Sequence, residues 1–123
     1  MEERDLLDLF APFGPVEVVR MFGGQGVRIE GLMFALVAGG ELYLKTDAAT
    51  GELFASDECS PFTFLRGRQR VETSYRRPPA ACFEDPEILT RYATASLEAA
   101  RRAAEARPKR TRRVKKRSGD GVA

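Results

Sequence analysis

Two groups of cations are the residues best equipped for chemistry with a ligand. Arg66, Arg68, Arg70, Arg76 and Arg77 fall within twelve positions, and a denser run follows at Arg107, Lys109, Arg110, Arg112, Arg113, Lys115, Lys116 and Arg117. A guanidinium presents a planar fork of donors that matches carboxylate and phosphate oxygens, and an ammonium adds compact positive charge, so both groups point to anions. The first group surrounds a turn signal at Gly67 and reads either as solvated turn charges or, as the alternative, as an anion-binding rim. The second is dense enough to hold a polyanion such as DNA or RNA. If all eight of its cations met phosphates of a duplex, log K would fall with log salt at a slope of about −7, without sequence preference.

Other chemistries lack their components. The sequence has no histidine, and Cys59 and Cys82 stand apart with no CxxC spacing. A structural zinc site, a Cys/His nucleophile and a Ser-His-Asp triad are therefore each incomplete. Asp57 and Glu58 precede Cys59 and disfavour its thiolate, so inert thiols are expected. The carboxylate pairs Glu84/Asp85 and Asp57/Glu58 are adjacent residues, whose side chains diverge, and Asp85 is placed to cap a helix. Gly23, Gly24 and Gly26 in MFGGQG lack the Lys-Ser/Thr of a phosphate-binding loop and run toward a strand, so they read as a bend between strands. Tyr43, Lys45 and Tyr75 can share one sheet face, either as a stacking surface for single-stranded nucleic acid or as a partly covered face. No catalytic, metal-ligating or cofactor-binding residue is assigned.

The charge is divided. Residues 1–106 carry 12 Lys/Arg against 17 Asp/Glu, a balance of −5, whereas residues 107–123 carry 8 Lys/Arg against one Asp, a balance of +7. This predicts one folded domain over 1–106 and a basic tail over 107–123, too poor in apolar residues to offset the entropy of ordering. Acidic residues interrupt any signal-like stretch at the start, and the longest apolar run, residues 32–38, is far short of the roughly 20 that span a bilayer. A cytoplasmic protein without membrane contact is expected; its oligomeric state is not legible.

The elements that must position these groups follow from periodicity. Leu6, Leu7, Leu9 and Phe10 recur at helical spacing over residues 2–11, and Pro12, Gly14 and Pro15 end that helix. Strands are expected at 16–21, 27–29, 32–38 and 42–46, with turns at Gly23-Gly24, Gly31 and Gly39-Gly40. The run 32–38 is apolar on both faces, as in a central covered strand. Residues 47–61 read as a short helix or irregular crossover whose Leu53 and Phe54 reach the core. Phe62 and Phe64, then Val71, Thr73 and Tyr75, alternate with polar residues in a last strand pair, and Pro78-Pro79 stops the sheet. Asp85 as N-cap, Pro86 and Glu87 open a helix over 86–106, with Leu89, Ala93, Ser96 or Leu97, Ala100, and Ala103 or Ala104 facing inward, and Tyr92 at the margin. Glu87 with Arg91 and Glu98 with Arg102 are spaced for ion pairs along its exposed face.

Taken together, Arg20-Met21-Phe22-Gly23-Gly24, Gly26-Val27, Gly31, Met33-Phe34-Ala35-Leu36, Glu41-Leu42-Tyr43-Leu44-Lys45 with Asp47, Pro61-Phe62-Thr63-Phe64, Ser74-Tyr75, Pro78-Pro79 and Asp85-Pro86 resemble the TfoX N-terminal domain of the Sxy/TfoX competence regulators. The resemblance runs from the first helix to about Ala106. It implies a two-layer α+β fold, with a mostly antiparallel sheet of about five or six strands packed by the N- and C-terminal helices. It further implies a non-enzymatic, transcription-associated regulator with a protein partner, the cyclic-AMP receptor protein being the one such regulators work with. Those regulators carry a second, helical C-terminal domain where this chain has its basic tail. The expectation is therefore a stand-alone module that binds protein, or that rides on nucleic acid through the tail. A small-molecule or anion-binding domain using the arginine rim is the alternative.

Overall fold

The computed structural model describes residues 1–107 except Phe22, so the tail cations from Lys109 to Arg117 lie outside the described residues. Helix α1 (Glu3–Phe10) is followed by strands β1 (Glu17–Met21), β2 (Gly24–Ile29), β3 (Leu32–Ala38) and β4 (Glu41–Lys45). A 3₁₀ turn at Ala48–Thr50 leads to β5 (Pro61–Arg66) and β6 (Gln69–Arg76), and a second at Ala80–Phe83 leads to helix α2 (Pro86–Ala106). The six strands form one sheet in the order β1-β2-β3-β4-β6-β5, every neighbouring pair antiparallel. With a helix at each end of the sequence, this is the α+β architecture that the resemblance implies.

Local chemistry accounts for most element boundaries. In α1 the Asp5 carboxylate accepts the Glu2 N–H at 2.9 Å, satisfying one of the amides a helix start leaves unpaired. Leu6 and Phe10, four apart, are fully buried, while Leu7 points outward. The β3–β4 hairpin closes through Gly39 and Gly40, whose φ angles of 59° and 80° are those of a primed turn matched to strand twist. Asp85 caps α2 by accepting the Glu87 N–H at 2.9 Å, and Pro86 follows at the first helical position.

The MFGGQG segment does bend between β1 and β2, at Gly23 with φ of 78°, but the bend is shorter than its sequence reading. Gly24 and Gly26 are not loop residues; they pair with Met21 and Val19 of β1 inside β2. A Cβ at Gly24 would stand 2.1 Å from the Val37 carbonyl oxygen, so glycine is there because two backbones pass too closely for any side chain.

A β-bulge decides how the core is filled. Val27 pairs with Ala35 and Arg28 with Met33, which leaves Phe34 as an extra residue on β3. Bulging lets Phe34 join Ala35 among the fully buried residues instead of facing away from it. The Phe34 ring lies 5.2 Å from Phe10 and 5.4 Å from Phe13, tying α1 and its following turn to the sheet. Val27, Val37, Leu42 and Leu44 complete the sheet's contribution to the core.

Helix α2 lies against β3 and β4. Both Ser96 and Leu97 are buried, together with Leu89, Ala93 and Ala100, and Ala99 joins them. Ala103 is only half-buried and Ala104 is exposed, because a helix of 21 residues extends about 31 Å and overhangs strands of five to eight residues. Leu53 and Phe54 reach this helix as anticipated: Tyr92 meets the Phe54 ring edge-on at 5.2 Å, and its hydroxyl donates to the Leu53 carbonyl at 3.1 Å.

Candidate interaction surface

Since α1 and α2 supply the core on one face of the sheet, the other face carries, among the described residues, only the side chains of its strands. Register places Val19, Gly26, Leu36 and Tyr43 in one continuous row across β1 to β4 on that outer face. Over Gly26, where a side chain is missing, the Met33 and Met21 side chains close in, to 2.8 and 2.9 Å from the position of a would-be Cβ. Beyond Tyr43 the row becomes aromatic. The Tyr43 ring is 5.1 Å from Phe62, which stacks on Phe64 at 6.3 Å with 28° between the planes. Lys45, two residues along β4 from Tyr43, pairs with Tyr75. Its ammonium is 5.3 Å from the Tyr75 ring centre and donates to Ser74 Oγ at 2.6 Å.

Tyr43, Lys45 and Tyr75 therefore do share a face. The structure adds Phe62 and Phe64, which the sequence marked only by their Phe-Thr-Phe alternation. Tyr43, Phe62 and Tyr75 are half-buried, whereas Phe64 keeps 39 % of its surface exposed. Burial lowers the Lys45 pKa, an effect opposed by nearby Asp47 and reinforced by Arg107. Arg107 is the first residue after α2. Burial also raises the Tyr75 hydroxyl pKa.

The five arginines of the candidate rim do not converge. Arg76 turns to the Cys59 carbonyl at 2.9 Å and reaches Glu72 at 3.8 Å, while Arg77 pairs with Glu41 at 2.8 Å. Arg66, Arg68 and Arg70 sit exposed around the β5–β6 turn, where Arg70 donates to Thr63 Oγ1 at 3.2 Å. Six strand residues, about 20 Å, separate Arg70 from Arg76, so one anion cannot span the set. Register sets Arg66 on the face of Phe64 and Arg70, opposite Leu65, on the other face. Cys59 and Cys82 are both buried and free, and burial holds the Cys82 thiol protonated with its pKa pushed up to about 12. Glu58 accepts the Ala80 N–H at 2.8 Å and Asp85 the Glu87 N–H at 2.9 Å, so one member of each adjacent carboxylate pair is engaged at a helix start.

Neither ion pair expected along α2 is closed among the described residues. Arg102 instead donates twice to Asp47, at 2.7 and 3.1 Å, because the crossover after β4 brings that carboxylate beside the helix. The Arg102 hydrogen bond holds the Asp47 carboxyl below its usual range, against a smaller opposing effect of burial. A lowered carboxylate pKa stabilises the fold above the unfolded-state value, and that stabilisation is lost as pH falls through the folded-state value. Asn at position 47 can still accept the Thr50 N–H, so Asp47→Asn removes the charge and keeps the cap. The variant is expected to melt below the wild type at pH 7, with the difference narrowing as pH falls through and below the usual carboxylate range, as measured by thermal scans. A difference that persists in acid would assign the effect to the cap.

A search among curated proteins finds no match to this sequence. The family profile of the TfoX N-terminal domain matches residues 8–100, from within α1 through the buried part of α2. The aromatic outer face and the six-stranded sheet lie within that span, with the end of α1 and most of α2, and the chain is a member of the TfoX N-terminal domain family.

Proposed function

We propose that the protein is a non-enzymatic regulatory module of the TfoX type, acting in the cytoplasm in association with transcription. Its folded body binds a protein partner, and the basic residues Arg107, Lys109, Arg110, Arg112, Arg113, Lys115, Lys116 and Arg117 hold DNA or RNA by non-specific electrostatic contact. Family membership supports the regulatory part. The observation that carries the nucleic-acid part is the separation of charge, −5 over residues 1–106 against +7 over 107–123, which sets a dense cationic arm apart from a body of net negative charge. The absence of histidine and the two buried thiols support a role without catalysis. Arg66, Arg68 and Arg70, exposed around the β5–β6 turn, add positive charge to the same attraction.

The test replaces the seven cations from Lys109 to Arg117 by glutamine in the full chain and titrates a labelled 20-base-pair duplex at 50 to 200 mM salt. The wild type is expected to show a steep salt dependence, and the variant a slope shallower by about 6. Unchanged duplex binding by the variant would remove the tail as the contact. Copurification with and without nuclease addresses the protein partner, which is unsupported if nothing is retained in either condition.

A further inference from the structure

The outer face of the sheet differs from an ordinary solvated face in both its rings and its charges. Tyr43, Phe62 and Phe64 form an unbroken aromatic series that ends on the exposed ring of Phe64, on the edge strand β5. The two carboxylates that register places on this face are neutralised locally: Glu17 pairs with Arg28 at 2.8 Å and Glu41 with Arg77 at 2.8 Å. Lys45 has no carboxylate within ion-pair distance among the described residues, and neither does Arg66, which follows Phe64 by two residues and shares its face. The face is thus aromatic, with cations at its margins that close no ion pair among the described residues.

We propose that this face is a stacking platform for single-stranded nucleic acid, with bases laid against Phe64, Phe62 and Tyr43 and phosphates held by Lys45 and Arg66. The proposal rests on the nucleic-acid reading above and assigns the folded body a part in it. Rings accept any base because every base has a π face, and flanking cations track the backbone. A duplex keeps its bases stacked on one another and cannot use the rings, so the platform distinguishes single from double strands, which the tail does not. A second copy of this chain is the weaker occupant, because two such faces would oppose Lys45 and Arg66 to their equivalents with no unpaired carboxylate between them. The edge position of β5 leaves the aromatic series open at one side for a polymer to enter.

Anisotropy titrations of the full chain with labelled 20-nucleotide oligo-dT and a 20-base-pair duplex at equal salt test the platform. The wild type is expected to prefer the single strand, and Phe64→Ala to weaken oligo-dT binding roughly 5- to 150-fold while leaving duplex binding unchanged. Phe64→Tyr restores the ring and should restore binding. Because the chain has no tryptophan, its tyrosines dominate the emission, and oligo-dT is expected to quench it. Circular dichroism on each variant separates lost binding from lost fold, and Lys45→Gln, which removes no ring, should also weaken oligo-dT.

The possible results separate the two readings. If Phe64→Ala and Lys45→Gln leave oligo-dT binding intact while the tail-neutralised chain loses it, the tail reading stands and the platform falls. If the tail-neutralised chain loses duplex but keeps Phe64-dependent oligo-dT binding, both stand. Failure of the wild type to bind either nucleic acid overturns both. A Phe64→Ala variant that binds oligo-dT normally but converts a dimer to a monomer in light scattering overturns the platform in favour of a contact between copies.

Discussion

Gly24→Ala is expected to destabilise this domain by about 3 kcal/mol or more, a large share of the 5 to 15 kcal/mol typical of a folded domain. The added Cβ would stand 2.1 Å from the Val37 carbonyl oxygen, about 1 Å inside any permissible contact, and its neighbour is backbone in the middle of the sheet. No rotamer change can relieve the overlap; β2 and β3 would have to separate. Gly26→Ala is the control. There the Cβ would meet Met33 Cε at 2.8 Å and Met21 Sδ at 2.9 Å, the far ends of two flexible side chains on the outer face. Methionine adapts to irregular gaps, so roughly 1 kcal/mol is expected. Urea midpoints of the two variants report the contrast, and equal losses would show that close backbone approach is not what selects glycine at position 24.

Phe34→Ala is the second large effect, expected to cost about 3 to 5 kcal/mol. Phe34 is fully buried, and the bulge at its position turns it onto the helical face, where Phe10 and Phe13 contact it. Truncation opens a cavity that backbone pairing on both sides of β3 keeps from collapsing. At about 4 to 8 °C per kcal/mol for a domain near this size, the melting temperature should fall by at least roughly 12 °C. Because Phe34 ties α1 to the sheet, hydrogen exchange of α1 amides should accelerate more than that of α2. A loss below about 1 kcal/mol, or equal acceleration in both helices, would place the anchor of α1 elsewhere.

Elements dominated by neighbours in the chain were legible without coordinates. Asp85-Pro86-Glu87 opens a helix by its own hydrogen bonding and φ restriction, and α2 begins at Pro86. Gly39-Gly40 and Gly67 mark hairpins because their backbone conformations are local properties, and the strands flank them. Long-range features were harder. Arg102 has an equally plausible partner at Glu98 in the same helix, and only the crossover after β4 brings Asp47 to it instead. The five rim arginines read as one cluster because they are close in sequence, but β6 is extended and sends Arg76 and Arg77 to different partners.

The sequence by itself determined the family, the α+β class, most hairpins and both helices, together with the opposed charges of body and tail, because periodicity, capping and composition act within a few residues. Tertiary structure decided the order β4-β6-β5, the bulge that buries Phe34 beside Ala35, and the gathering of Tyr43, Phe62, Phe64 and Tyr75 with Lys45 on one face. Those outcomes depend on which strands pair and in what register. A one-residue change in register moves every side chain of a strand to the opposite face, so the composition of the outer face is a property of the assembled sheet and of no single segment.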